Sequence, residues 1–116
     1  MEDMPKETEE KISQLQMYEQ SLQNFLAQKQ QFQSQLMETE SALGELEKSE
    51  TAYKIIGNIM VLSDKKDLKA DLESKKEIFE LRIKTMERQE TQVREKASKL
   101  QSEILEKIGK KDKIEN

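Results

Sequence analysis

Apolar residues recur at alternating spacings of three and four along two long stretches, one before and one after residues 53–62. Sustained over several heptads, this spacing is typical of helices that pair as a coiled coil. Pro5 suits a helix start, and no second proline interrupts either stretch. We therefore predict helices over residues 5–49 and 64–108, with Gly109 ending the second and a frayed tail over 109–116.

Each predicted helix presents one seam, formed by heptad positions a and d. In the first helix, a is Leu15, Leu22, Lys29, Leu36 and Leu43, and d is Tyr18, Phe25, Phe32, Thr39 and Leu46. In the second, a is Lys76, Ile83, Glu90, Ala97 and Ile104, and d is Leu72, Phe79, Met86, Val93 and Leu100. Two seams of similar length joined by a short segment should fold back as an antiparallel pair. Leu15 should then approach Leu100 and Ile104.

The same register brings two charged seam residues, Lys29 and Glu90, within about one helical turn of each other. Two interpretations are open. Both side chains could extend separately to solvent along their apolar stems. Alternatively they pair and fix the register at some cost in stability, as polar residues at a positions do in some coiled coils. We favour the pair.

The charge pair predicts a specific mutant cycle. Lys29→Glu should lower the thermal unfolding midpoint because it places two carboxylates together, and adding Glu90→Lys should restore it. Unfolding followed by circular dichroism measures both effects. Simple additivity of the two losses would rule the pairing out.

The segment between the helices, Tyr53 to Leu62, is rich in β-branched residues and tyrosine, which favour strands. Gly57-Asn58 permits a tight hairpin turn, so we predict a β-hairpin over residues 52–63. Its continuous apolar run implies burial on both faces, one on the helix ends and one in a sheet shared by several copies. Because a lone hairpin is marginal in water, the chain should be a subunit of an oligomer. The predicted assembly residues are Tyr53, Ile55, Ile56, Gly57, Ile59, Met60, Val61 and Leu62.

A second set of apolar residues gathers at the helix ends remote from the hairpin. Two interpretations are open: these residues close or fray the end of the coil, or they offer a low-specificity surface to apolar polypeptides, aided by adaptable methionines. The predicted client-binding residues are Met4, Ile12, Leu15, Met17, Ile104, Leu105 and Ile108.

Composition narrows the classes of function. The chain has 116 residues, of which 38% are charged and 4% aromatic, and no histidine, cysteine or tryptophan. The chain therefore supplies no imidazole group, no thiol group and no phosphate-binding loop. We predict that it has no enzyme activity, catalytic residue, metal or cofactor. A net charge of −4 argues against nucleic-acid binding. The acidic N-terminus and the short apolar run Ile59–Leu62 predict neither signal peptide nor membrane span, hence a soluble cytoplasmic chain.

One family combines these features. Two helices around Tyr53-Lys-Ile-Ile-Gly-Asn-Ile-Met-Val61, with Lys84-Thr-Met-Glu-Arg-Gln-Glu90 in the second helix, resemble the β-type subunits of prefoldin, in an archaeal-like form. The resemblance spans nearly the whole chain, as one domain over residues 1–116. It is β-type because α-type subunits carry two hairpins and only one is visible.

The resemblance implies a mainly α fold, a long antiparallel two-helix coiled coil whose hairpin joins an intersubunit β-barrel. It implies a hexamer of two α-type and four β-type subunits that captures unfolded polypeptides at coiled-coil tips. Clients would pass to a cytosolic chaperonin without nucleotide. Two other classes stay open: a structural or tethering coiled coil that binds no client, and a coiled-coil arm of a larger protein, such as the tRNA-contacting arm of a synthetase. The acidic balance disfavours the last.

Overall fold

The computed structural model describes residues 5–115, with side chains described as far as Gly109. In chain order the elements are α1 (Lys6–Lys48), β1 (Ala52–Ile56), β2 (Ile59–Ser63) and α2 (Lys65–Glu115). The predicted fold class of two long helices around one hairpin is confirmed. The described residues fall into two compact units. We call residues 28–85 the hairpin unit, and residues 5–27 with 86–115 the terminal unit.

Local chemistry explains where the helices begin. The Pro5 carbonyl accepts a 3.1 Å hydrogen bond from the backbone amide of Glu9, and Glu7 and Glu9 lie in the first turn of α1. At the start of α2, Asp64 Oδ1 accepts a 2.8 Å bond from the backbone amide of Lys66. Asp64 therefore caps this helix.

The predicted end of the second helix is wrong. Gly109 does not terminate α2, which continues to Glu115 through most of the segment predicted to fray. A glycine in a helix interior costs about 1 kcal/mol relative to alanine but, unlike proline, removes no backbone hydrogen bond. The lysines, isoleucine and glutamates around Gly109 tolerate a helix, and no proline follows it.

The hairpin unit contains β1 and β2, which pair antiparallel with Ile56 opposite Ile59. The two-residue turn places Gly57 at φ +61°, and no non-glycine residue described has a positive φ. A glycine with positive φ at the first central position defines a type II′ turn, whose twist matches that of paired strands. The predicted hairpin is confirmed, with its strands within 52–63.

Within the hairpin unit, the predicted seam is the buried stripe. Thr39 and Leu46 are buried, and the Thr39 hydroxyl donates to the Gln35 carbonyl at 2.8 Å. The Arg82 guanidinium lies 5.6 Å from the centre of the Phe32 ring. The other seam positions from 29 to 46 and from 72 to 83 are half-buried.

In the terminal unit, too, the predicted seam is the buried stripe. Leu100 and Ile104 are buried, and the seam positions from 15 to 25 and from 86 to 97 are half-buried. Ion pairs join Glu7 to Lys107 and Lys11 to Glu103, so α1 and α2 run antiparallel here. The spacing of three and four thus identified the packed face of both helices.

Candidate functional site

The first candidate site is the apolar surface of the hairpin. All seven of its large apolar residues are exposed, with Ile55 70% and Met60 65% accessible. The full set is Tyr53, Ile55, Ile56, Ile59, Met60, Val61 and Leu62. The prediction that one face packs on the helix ends is wrong, because only Ala52, at the base of β1, is buried. The two-residue turn and the absence of a linker long enough to fold back leave both faces accessible.

The backbone of the hairpin adds to this exposure. Among the described residues, the only sheet has two strands, so β1 and β2 each have one edge that no strand pairs. Unpaired strand edges present rows of amide and carbonyl groups that favour pairing with another chain. Edges and apolar faces together form a surface suited to strand addition by other subunits.

The base of the hairpin is held from both helices. The Lys65 ammonium donates a 3.3 Å hydrogen bond to the Glu47 carbonyl, in the last turn of α1. Lys69 lies 3.9 Å from the Glu47 carboxylate. A lysine at a helix C-terminus satisfies a free carbonyl and interacts favourably with the helix dipole. These contacts fix where the strands leave the helices.

The second candidate site is the set of apolar residues in the terminal unit. Met17, Leu105 and Ile108 are exposed, whereas Ile12 and Leu15 are half-buried and Ile104 is 7% exposed. Met4 lies outside the described residues. The predicted client-binding set therefore divides into exposed residues and residues packed between the helices, a distinction that sequence position could not provide.

An ion-pair network at the same helix ends was missed in the sequence. Lys107 Nζ lies 3.0 Å from Glu7 Oε1, and Lys11 Nζ lies 3.4 Å from Glu103 Oε2 and 3.6 Å from Glu7 Oε1. The signal that could have revealed it is a Glu-x-x-x-Lys pattern that occurs at 7–11 and again at 103–107. In an antiparallel pair, these two patterns place each glutamate opposite a lysine.

The network shifts the acidity of its members. A hydrogen bond and the positive charge from Lys107, together with the charge of Lys11, hold the pKa of the exposed Glu7 carboxyl below its ordinary 4.5. Burial alone would lower the pKa of Lys11, but the Glu103 and Glu7 carboxylates outweigh it and raise that pKa. Both shifts favour the charged forms at neutral pH.

The predicted register pair, Lys29 and Glu90, stays a prediction. Both side chains are half-buried, and Glu90 Oε1 accepts a 2.7 Å hydrogen bond from Arg94 one turn along α2. Because Glu90→Lys would also remove this ion pair, the double variant described above should recover only the part of the loss that arises between Lys29 and Glu90.

The described residues narrow the chemistry further. They contain no group of three or more acidic, histidine or cysteine side chains that could hold a metal ion. No described helix is both long and apolar enough to cross a membrane. The shallow groove in the terminal unit has a volume of about 210 Å³ and is lined by polar side chains, Tyr18 and Leu100.

Comparison with known proteins decides the family. The family model described as prefoldin subunit matches residues 9–111. The chain belongs to the prefoldin family. Prefoldin subunit beta of Archaeoglobus fulgidus is 40% identical over 107 residues, covering 90% of this chain and 92% of the relative. That of Thermococcus onnurineus is 36% identical, with 90% and 92% covered.

A solved structure agrees with the sequence comparison. The crystal structure of the prefoldin beta subunit from Thermococcus strain KS-1 matches with a TM-score of 0.81 and 34% identity, covering 90% of this chain and 94% of that one. The resemblance to β-type prefoldin subunits is confirmed, as is the single hairpin among the described residues that distinguishes the type. Membership supports a role as a chaperone subunit.

The perturbed carboxyl of Glu7 yields a pH prediction. Because the pKa of Glu7 is lower in the folded state, ionised Glu7 stabilises the fold at any pH above its unfolded-state pKa. This contribution is lost as the pH falls through the folded-state pKa, which lies below 4.5. Carbon-13 NMR titration of the Glu7 carboxyl measures the folded value. Lys107→Met, which keeps an apolar stem but removes the charge, should move that pKa upward. Lys99→Met, which removes the same charge elsewhere in the unit, should leave it in place; equal shifts would contradict the specific pair.

Proposed function

We propose that this chain is a subunit of an ATP-independent holdase, a hetero-hexamer of two α-type and four β-type prefoldin subunits in the cytoplasm. The hairpin assembles the complex, the helix ends capture non-native polypeptides, and the clients pass to a cytosolic chaperonin. The observation that carries the proposal is the exposed hairpin, with seven large apolar side chains on a sheet of two strands. In this proposal the chain has no catalytic role, cofactor, nucleic-acid partner or membrane partner.

The assembly step follows from the energetics of the hairpin. Burying an exposed apolar side chain contributes about 1.5–3 kcal/mol, and seven such residues lie on one ten-residue segment. Strand addition would also pair the free backbone groups at both edges. The assembly residues proposed are those named from the sequence, with Gly57 forming the turn that keeps the two strands in register.

The capture step depends on the exposed part of the terminal unit. Met17, Leu105 and Ile108 present apolar area to solvent without directional hydrogen-bonding groups, which suits a surface that must accept many sequences. Methionine adapts its shape to different partners. The absence of a phosphate-binding sequence motif fits capture that uses no nucleotide.

A structural or tethering coiled coil is the alternative function. It would use the same helices and the same hairpin but would bind no client. Suppression of aggregation separates the two: a holdase suppresses it in stoichiometric amounts without nucleotide, and a tether does not.

The hairpin predicts how assembly can be blocked without unfolding the chain. Ile55 and Met60 are opposite each other across the strands and are exposed in the single chain. Ile55→Lys/Met60→Glu places a favourable charge pair on the hairpin, yet burying that pair in an assembly is costly. Native mass spectrometry with an α-type partner should show the hexamer for the wild type and lose it for this variant.

The matched control is Met37→Lys/Leu81→Glu, which introduces the same charges at residues of similar exposure, 68% and 62%, on the helices of the hairpin unit. This variant should still assemble. Circular dichroism should show unchanged helix content for both. Assembly of the hairpin variant at wild-type concentration would contradict the proposed role of these strands.

The exposed apolar residues of the terminal unit predict a loss of client capture. Met17→Ser/Leu105→Ser/Ile108→Ser should raise the concentration of assembled complex that is needed to suppress aggregation of a denatured enzyme. We expect an increase on the order of tenfold, which corresponds to a loss of about 1.4 kcal/mol in binding free energy. Light scattering measures this suppression, after native mass spectrometry has shown that the complexes have equal mass.

The chain provides a closely matched control for this triple variant. Met37, Leu81 and Ile78 in the hairpin unit are 68%, 62% and 43% exposed, against 68%, 62% and 42% for Met17, Leu105 and Ile108. Substituting the control set by serine removes the same side chains at the same exposure. Equal losses in the two variants would place capture elsewhere than the terminal unit, and no suppression by the wild type would favour the tether.

A further inference from the structure

In the terminal unit, the apolar seam of α1 ends before the helix does. Continuing the heptads beyond Leu15 toward the start of α1 places Lys11 at d and Thr8 at a. Continuing beyond Ile104 in α2 places Lys107 at d. The last layers between the two helices therefore contain charged and polar groups where the preceding layers contain leucine, isoleucine and phenylalanine. Apolar burial at this end comes from Leu100 and Ile104.

Ion pairs cross between the helices beside these buried residues. Glu7–Lys107 and Lys11–Glu103 both cross from α1 to α2, at 3.0 and 3.4 Å. All four side chains are partly accessible, from 23% for Lys11 to 67% for Glu7. Accessible ion pairs are individually weak and are screened by salt. Contacts of this kind can be broken without unfolding the remainder of the unit.

Closing this end also buries a polar group without a partner. Thr8 is 2% exposed, and its hydroxyl has no hydrogen-bond partner among the described residues. An unsatisfied buried hydroxyl opposes the arrangement that buries it, since the same hydroxyl is hydrated when the helices separate. Thr39, also buried in a seam, differs in that its hydroxyl donates to a backbone carbonyl.

Apolar side chains lie beside these contacts, between the helices. Ile104 and Leu100 are 7% and 8% exposed, whereas Leu105 and Ile108, in the same turns of α2, face solvent. Separation of the helix ends would uncover Ile104 next to Leu105 and Ile108. The apolar area presented to a polypeptide would increase without any change elsewhere in the chain.

We propose that Glu7–Lys107 and Lys11–Glu103 form a salt-sensitive clasp that controls the exposure of Ile104. The clasp sets how much apolar surface the helix ends present to a non-native polypeptide. When it is closed, Met17, Leu105 and Ile108 are available; when it is open, Ile104 joins them. This inference rests on the proposed function, of which it supplies a means of regulation.

Charge exchange within one helix tests the clasp at constant net charge. Glu103→Lys/Lys107→Glu brings lysine against Lys11 and glutamate against Glu7, so both crossing pairs become repulsive. Glu7→Lys/Lys11→Glu does the same from the other helix. Combining all four substitutions restores opposite charges at both positions. The three variants and the wild type have the same composition and the same charge of −4.

Hydrogen–deuterium exchange of the assembled complex gives the first readout. Peptides covering residues 100–109 should exchange roughly fivefold or more faster in each double variant, and at the wild-type rate in the quadruple variant. Peptides covering 52–63 are the internal reference and should not change. Raising the NaCl concentration to about 1 M, where the Debye length is about 3 Å, should increase the exchange rate of these peptides in the wild type toward the rate in the double variants. Equal exchange in all four proteins would overturn the clasp.

Binding of reduced, carboxymethylated α-lactalbumin, a permanently unfolded polypeptide, gives the second readout. Each double variant should bind this probe several-fold more tightly than the wild type, and the quadruple variant should bind it as the wild type does. Adding Ile104→Ser to Glu103→Lys/Lys107→Glu should remove the gain, with circular dichroism verifying that helix content is kept. Faster exchange without tighter binding would overturn the regulation. A wild type that binds no probe would overturn the proposed function itself, a result distinct from unchanged exchange in a wild type that binds.

Discussion

Among the described residues, the buried side chains lie on one stripe of each helix, with Ala52 at the base of β1 as the exception, and the other properties of the fold follow from that constraint. A pair of helices can cover the a and d positions and little else. In both units those positions are buried or half-buried, while apolar residues at other positions, such as Met17, Met37 and Leu81, remain open to solvent. A chain with 38% charged residues has little further apolar material to bury. The hairpin therefore finds no cover among the described residues.

The two surfaces that remain accessible differ in physical character. The hairpin offers backbone groups in a regular row as well as apolar side chains, and so favours a partner that adds a strand in a defined register. The terminal unit offers apolar side chains on helices whose backbone groups are already paired, and so favours contact without defined geometry. This difference underlies the proposal that one surface serves assembly and the other transient contact with varied polypeptides.

Charge acts at opposite ends of the helices in different ways. Near the hairpin, Lys65 and Lys69 contact Glu47 and hold the point where the strands depart. At the remote ends, Lys11 and Lys107 take seam positions that leucine occupies elsewhere, and their carboxylate partners lie on the other helix. A contact built from accessible ion pairs responds to salt and to charge exchange, which an apolar seam does not. Lysine contacts to Glu47 thus hold the hairpin end, whereas at the other end ion pairs supplement the burial of Leu100 and Ile104.

The sequence alone determined the helices, the seams, the hairpin and its turn, because each arises from local spacing or from a residue's own backbone preference. Periodicity identified the seams from Leu15 to Leu46 and from Leu72 to Ile104, and Gly57 identified the turn. The tertiary structure decided what depends on the rotation and register of one helix against the other. It placed Ile104 between the helices and Leu105 outside them, and left both faces of the hairpin exposed. It also joined Glu7 to Lys107, because partners distant in sequence decide a residue's burial and its charge contacts.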